Sequence, residues 1–119
     1  MEHTAFVIED DEDLANIFTS ALNDAGFQVE TIRDGAVAQR RLQEASPEMI
    51  ILDMHLPHVD GAALITQIRA DERLKGTRIL ITTADALQGQ IYRDLVDTVL
   101  IKPVSFALLR DLTSRYKKK

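Results

Sequence analysis

The residues able to do chemistry gather where short apolar runs stop. The run Thr4–Ile8 gives way at once to Glu9, Asp10 and Asp11, the run 48–53 (EMIILD) stops on Asp53, the run 78–82 (RILIT) leads into the pair Thr82-Thr83, and Thr98–Ile101 stops before Lys102. A segment that reads as a buried strand and ends on a carboxylate carries a cost unless that carboxylate is paired or put to use. If these ends converge, they make a carboxylate cluster with one ammonium and one hydroxyl beside it. Two like unit charges 4 Å apart repel by about 4 kcal/mol at an effective dielectric of 20. Such a cluster calls for raised pKa values or a bound divalent cation. A small all-oxygen donor set suits Mg²⁺ (or Mn²⁺), which keeps several waters and shares phosphoryl oxygens. Zinc has no donors: there is no cysteine, and His3, His55 and His58 show no zinc-site spacing.

Beside such a cation a strand-end aspartate can attack phosphorus and form an acyl phosphate. Asp53 is then the phosphoryl acceptor, Lys102 supplies positive charge to the phosphoryl oxygens, and a threonine hydroxyl donates a hydrogen bond to one of them. Thr82 and Thr83 are neighbours, and strand alternation sends neighbours to opposite faces, so one of them points at the site. Small Ala84 leaves room beside Thr83 and favours it; Thr82 is the alternative.

The elements that must position these groups are legible from periodicity. After the first run, Leu14, Ile17, Phe18, Ala21, Leu22 and Ala25 recur at helical spacing up to Gly26. Residues 27–31 (FQVET) alternate as a second strand, and Asp34 can cap a helix carrying Val37 and Leu42 that ends at Ser46-Pro47. The third run is apolar on both faces, as a central parallel strand must be. Leu64, Ile65 and Ile68 mark a third helix, the weaker pattern Leu87, Ile91 and Leu95 a fourth, and Phe106, Leu109, Leu112 and Tyr116 one face of a fifth. Five strands alternating with five helices predict a doubly wound α/β sandwich, whose ligand site lies beyond the carboxyl ends of its strands. Asp53 is too far from the helix that follows, which starts near Asp60-Gly61, to be a simple cap. Asp11 and Asp13, by contrast, read as solvated acids at a helix start.

In order along the chain stand VIEDDED with Glu9 and Asp10, IILDMHLPHVDG with Asp53, ITTADA with Thr83-Ala84, and LIKPV with Lys102-Pro103. Each motif is weak alone, but the four in order, each at a strand end, resemble the receiver domain of bacterial response regulators over nearly the whole chain. The resemblance implies a flavodoxin-like (βα)5 fold with a five-stranded parallel sheet in the order 2-1-3-4-5. It implies Mg²⁺ held by Asp10, Asp53 and the backbone carbonyl of His55, with Glu9 acting mainly through a metal-bound water, and a cis peptide at Lys102-Pro103. The implied phosphodonor is a histidine kinase, a phosphotransfer protein or a small phosphodonor. On phosphorylation Thr83 moves toward the new anion and the face formed by the fourth helix, fifth strand and fifth helix shifts population. The implied output is a downstream effector protein or a fused output domain, with a phosphorylation-dependent homodimer as a further expectation. His55 and Asp85 occupy positions that border the path of an attacking water in the family, and they are expected to set the lifetime of the phosphoryl group.

The sequence departs from the family in two places. Val99 stands three places before Lys102, where many receivers carry an aromatic switch residue, and the segment from Thr83 to Lys102 is short and lacks the usual Gly-Ala-Asp before the fifth strand. The fourth helix is therefore expected to be short or irregular and the output face altered. Two other functions remain open: a receiver-like adaptor that binds its partner without phosphate, and a small Mg²⁺-dependent phosphohydrolase. The second commonly needs an acid two residues after its nucleophile, where His55 stands.

Composition sets the remaining bounds. The 119 residues, 45% of them apolar, suit one domain spanning 1–119, with 115–119 expected as a frayed tail or linker start. Acids exceed bases by 19 to 14 and give a net charge of −5, which disfavours nucleic acid as a direct partner. No stretch approaches the apolar length needed to span a bilayer and the first residues lack a basic leader, so a cytoplasmic location without membrane contact is the expectation.

Overall fold

Alternation of apolar side chains along each run builds the sheet. A computed structural model of the chain describes residues 2–118. Strands β1 (Thr4–Ile8), β2 (Gln28–Ile32), β3 (Met49–Asp53), β4 (Arg78–Thr83) and β5 (Thr98–Ile101) form one parallel sheet in the order β2-β1-β3-β4-β5. Helices α1 (Glu12–Asp24), α2 (Gly35–Glu44), α3 (Gly61–Ala70) and α4 (Ala86–Ile91) connect them, and α5 (Phe106–Tyr116) follows β5. This is the doubly wound sandwich, with the strand order that the resemblance implies.

Two layers of core enclose the sheet. Val7, Met49, Ile51, Leu80 and Leu100 pack with Phe18 and Leu22 of α1 and Leu109 of α5. Phe6, Ile8, Ile50, Leu52, Ile79 and Ile81 face the opposite way, against Leu42 of α2 and Leu64, Ile65 and Ile68 of α3. Each fully buried Leu or Ile contributes roughly 1.5–3 kcal/mol relative to exposure. The same alternation aims the strand ends. Glu9, Asp53, Thr82 and Lys102 continue the rows that face α1 and α5, whereas Thr83 continues Ile79 and Ile81 toward the other face.

Short polar side chains set the helix starts. Asp11, Asp34, Asp60, Asp85 and Ser105 each accept hydrogen bonds from first-turn N–H groups of the helix that follows, at about 1 kcal/mol per cap. The chain leaves α1 through Gly26 at φ 102°, a conformation glycine adopts without steric cost.

The sequence reading is corrected at several points. β2 starts after Phe27, which is buried as a loop residue, and β4 runs one residue further, through Thr83. Helix α4 is short, as expected, but its apolar pattern points outward: Leu87 and Ile91 are 78% and 72% exposed, and Leu95 lies in a separate 3-10 turn, Arg93–Leu95. What α4 buries is Gly89, because a residue without a side chain lets the helix lie directly on β5. Phe106 is likewise exposed on α5, where Leu109 carries the packing. Helix α5 runs through Arg115 and Tyr116; Lys117 Nζ donates to the carbonyl of Ala25 at 3.0 Å and the Lys118 N–H to Glu48 at 2.6 Å. Lys119 lies outside the described residues. No described helix is long and apolar enough to cross a membrane.

Candidate functional site

β1 and β3 lie side by side at the centre of the sheet, so their carboxyl ends bring Glu9 and Asp53 together. Both are almost fully buried, at 1% and 2% exposure. Lys102, just beyond β5, extends its side chain across the sheet end until Nζ stands 3.3 Å from Asp53 Oδ1 and 3.3 Å from Glu9 Oε1. Asp10 is exposed at the rim, and one carboxylate oxygen from each of Glu9, Asp10 and Asp53 lies within 4.8 Å of the other two. The His55 N–H donates to Asp53 Oδ1 at 3.1 Å, which fixes the start of the loop after β3, while the His55 side chain is exposed. The peptide between Lys102 and Pro103 is cis.

The electrostatics show a site with more negative charge than its one lysine offsets. Burial, reinforced by the Asp53 carboxylate alongside, pushes Glu9 up from 4.5 to about 7, against the opposing help of the Asp11 N–H and Lys102. Lys102 is held above the usual lysine value: burial works against its charge, and the attraction of Asp53 and Glu9 outweighs it. Glu9 Oε2 accepts the Asp11 N–H at 3.1 Å, whereas Oε1 meets Lys102 as an ion pair outside hydrogen-bond alignment and has no hydrogen-bond partner among the described residues. Two buried carboxylates, a third at the rim and an unpartnered buried oxygen fit a hard divalent cation with oxygen ligands.

Of the remaining expected residues, Thr83 and Asp85 have their hydroxyl and carboxylate engaged elsewhere, and Thr82 does not. Thr83 is fully buried, but its hydroxyl faces α4, donating to Gln88 Oε1 at 3.0 Å and accepting the Asp85 N–H at 3.0 Å. Thr82 is the direct cross-strand partner of Asp53 and points to the same face; its buried hydroxyl has no partner among the described residues. The Asp85 carboxylate caps α4, accepting the N–H groups of Leu87 at 2.9 Å and Gln88 at 3.3 Å, and Ala84 is exposed. Asp11 caps α1 through the Leu14 N–H, in keeping with its reading as a helix-start acid.

Sequence reasoning did not single out Arg33, Gln88 or Asp97. Arg33 grips the Asp10 carbonyl through Nε at 3.1 Å and Nη2 at 2.8 Å and so fixes the acidic loop. Asp97 accepts the Ile79 N–H at 2.8 Å and pairs with Arg69 and Arg78 at the opposite end of the sheet. The Arg33 and Asp97 contacts join elements distant along the chain, so nothing local in the sequence marks them; Gln88 follows Thr83 closely, but which way its helix turns it is set by packing.

Comparison with known proteins places this geometry in a family. The model of the response regulator receiver domain matches residues 5–114. The chain is 32% identical over 122 residues to a probable methanogenesis regulatory protein, FilR2 of Methanothrix harundinacea, covering 93% of this chain and 79% of that protein. It is 35% identical over 102 residues to the phosphate regulon transcriptional regulatory protein PhoB of Rhizobium meliloti, covering 83% of this chain and 45% of that protein, so it spans less than half of that relative. Among solved structures, the chemotaxis response regulator CheY4 of Vibrio cholerae superposes with a TM-score of 0.87 at 25% identity, covering 98% of this chain and 99% of that one. The strand order, the acids at the ends of β1 and β3 and the match along most of the chain lead to one assignment: this chain belongs to the response regulator receiver domains of two-component signalling.

Proposed function

We propose that the chain accepts a phosphoryl group on Asp53 and uses it to change a protein-binding surface. The observation that carries this is the burial of Asp53 at a strand end, with Glu9 beside it and Lys102 Nζ at 3.3 Å. A carboxylate oxygen of Asp53 forms a bond to phosphorus as the bond between phosphorus and the donor's leaving group breaks; the leaving group takes its proton from solvent. Lys102 is already placed to move from the carboxylates to the incoming phosphoryl oxygens, and its raised pKa keeps it charged. The donor is a histidine kinase, a histidine phosphotransfer protein or a small phosphodonor.

Glu9, Asp10 and Asp53, with the backbone carbonyl of His55, are the residues to hold Mg²⁺ or Mn²⁺, Glu9 acting through a bound water. When bound, the cation offsets the negative charge of the acids and of the phosphoryl oxygens. Thr83 supplies the hydroxyl that answers the new anion, and His55 and Asp85 govern how long the acyl phosphate survives. The output is a downstream effector protein or a fused output domain, a phosphorylation-dependent homodimer is a further possible form, and the setting is cytoplasmic. A phosphate-independent adaptor is the second reading, favoured by Val99 at the position of the family's aromatic switch. Intact mass after incubation with acetyl phosphate or phosphoramidate separates the two. Addition of one phosphoryl group, lost in Asp53→Asn and without Mg²⁺, supports the acceptor; no addition together with no Mg²⁺ binding supports the adaptor.

A further inference from the structure

We propose that Gln88 is a positioning residue that holds Thr83 away from the phosphoryl site and so sets the resting balance of the switch. This rests on the phosphoacceptor reading above and names its regulation. A threonine hydroxyl carries a single proton. Here that proton is committed to Gln88 Oε1 at 3.0 Å; among the described residues the other acceptor within reach, the Asp85 carbonyl, stands at 3.4 Å. The lone-pair side of the same hydroxyl receives the Asp85 N–H. Donation to Gln88 and donation to a phosphoryl oxygen on Asp53 are therefore mutually exclusive, and Gln88 competes directly with the phosphoryl group for Thr83.

The competition is tied to the surface through α4. Gln88 lies in the first turns of a six-residue helix whose start is secured by the Asp85 carboxylate. Gly89 follows it and packs so closely on β5 that an added Cβ would stand 2.6 Å from Val99 Cγ1 and 3.5 Å from Thr83 Cγ2. Release of Gln88 by Thr83 therefore loosens the helix that displays Leu87 and Ile91 to solvent. With a valine at position 99, the link from site to surface runs through this hydrogen bond and does not need an aromatic ring.

A ligand that requires the released state binds more weakly by the fraction of molecules in that state. Removing one ordinary hydrogen bond from the resting state should raise affinity for such a ligand roughly two- to tenfold. The probe is beryllofluoride with Mg²⁺, a phosphoryl mimic, titrated by calorimetry into the full chain as wild type, Gln88→Leu, Gln88→Glu, Thr83→Ala and the double variant Thr83→Ala/Gln88→Leu. Gln88→Leu should bind the mimic tighter by that factor and Gln88→Glu, which keeps an acceptor, should not; Mg²⁺ affinity without the mimic should not change in either. The gain should vanish in the Thr83→Ala background, since a residue that only supports α4 would show no such coupling. Wild type that binds the mimic while Gln88→Leu binds it equally or less tightly overturns the proposal alone, as does an equal gain in both Thr83 backgrounds. Wild type that binds Mg²⁺ but no mimic overturns the phosphoacceptor reading and this proposal with it.

Discussion

Replacing Glu9 by glutamine should make the metal-free protein more stable, and only above a certain pH. Glu9 ionises at about 7 in the folded chain and at 4.5 in the unfolded one, because folding buries it beside Asp53. An acid whose folded pKa is raised holds its proton more tightly when folded. Its favourable contribution is complete below about pH 4.5 and is lost as the pH rises to 7, beyond which the fold bears the full cost of the charge. That cost is about 3 kcal/mol, at 1.36 kcal/mol per pH unit, against a total of roughly 5–15 kcal/mol for an ordinary domain. Glu9→Gln removes the charge and keeps the shape. Urea unfolding in the presence of a chelator should show the variant and wild type nearly matching at about pH 4, and the variant more stable by about 3 kcal/mol at pH 8. Mg²⁺ at pH 8 should then recover most of the gap in wild type by binding the folded state. A gap of equal size at both pH values, or a variant less stable at pH 8, would refute the electrostatic account of this site.

Three further predictions follow from particular contacts. Gly89→Ala adds a Cβ that meets Val99 Cγ1 at 2.6 Å, so it should destabilise the chain by about 1–3 kcal/mol in thermal or urea melts despite alanine's better helix propensity, and Val99→Ala in the same chain should reverse most of that loss. Arg33→Ala removes both bonds to the Asp10 carbonyl and should weaken Mg²⁺ binding roughly two- to tenfold by calorimetry, with Arg33→Lys recovering only part, since lysine lacks the two-pronged donor. His55→Asn should change the lifetime of the phosphorylated form, followed by intact mass over time, while leaving acceptance intact, because His55 meets Asp53 through its backbone N–H; an unchanged lifetime removes His55 from the hydrolytic step.

What was legible in the sequence was whatever short-range pattern controls. Short apolar runs, with alternation in the second, located all five strands to within a residue or two, and the strand ends carried Glu9, Asp10, Asp53 and Lys102 with them, because parallel strands put their carboxyl ends at one edge. Asp34, Asp60 and Asp11 were readable as helix-start residues for the same local reason. Tertiary choices were hidden. Leu87, Ile91 and Leu95 have helical spacing, but which way that stripe faces depends on Gly89 finding Val99 across the gap between α4 and β5. The choice between Thr82 and Thr83 turns on the strand face: Thr82 shares the face of Asp53, while Thr83 is claimed by Gln88 from a helix that follows it. The hold of Arg33 on Asp10 and the docking of Lys117 on Ala25 join segments far apart in the chain, and no window of sequence contains them.

The central claim is that Asp53 itself becomes the acyl phosphate. The most direct measurement is to treat the chain with acetyl phosphate and Mg²⁺, reduce the product with borohydride, which converts an acyl phosphate to the alcohol, and map the peptides by mass spectrometry. The account predicts homoserine in place of Asp53 within the peptide that holds Met54 and His55, and no reduced residue without Mg²⁺. Reduction at Asp10, Asp60 or any other acid, or no reduced residue in a chain shown to bind Mg²⁺ and to gain a phosphoryl group, would contradict it.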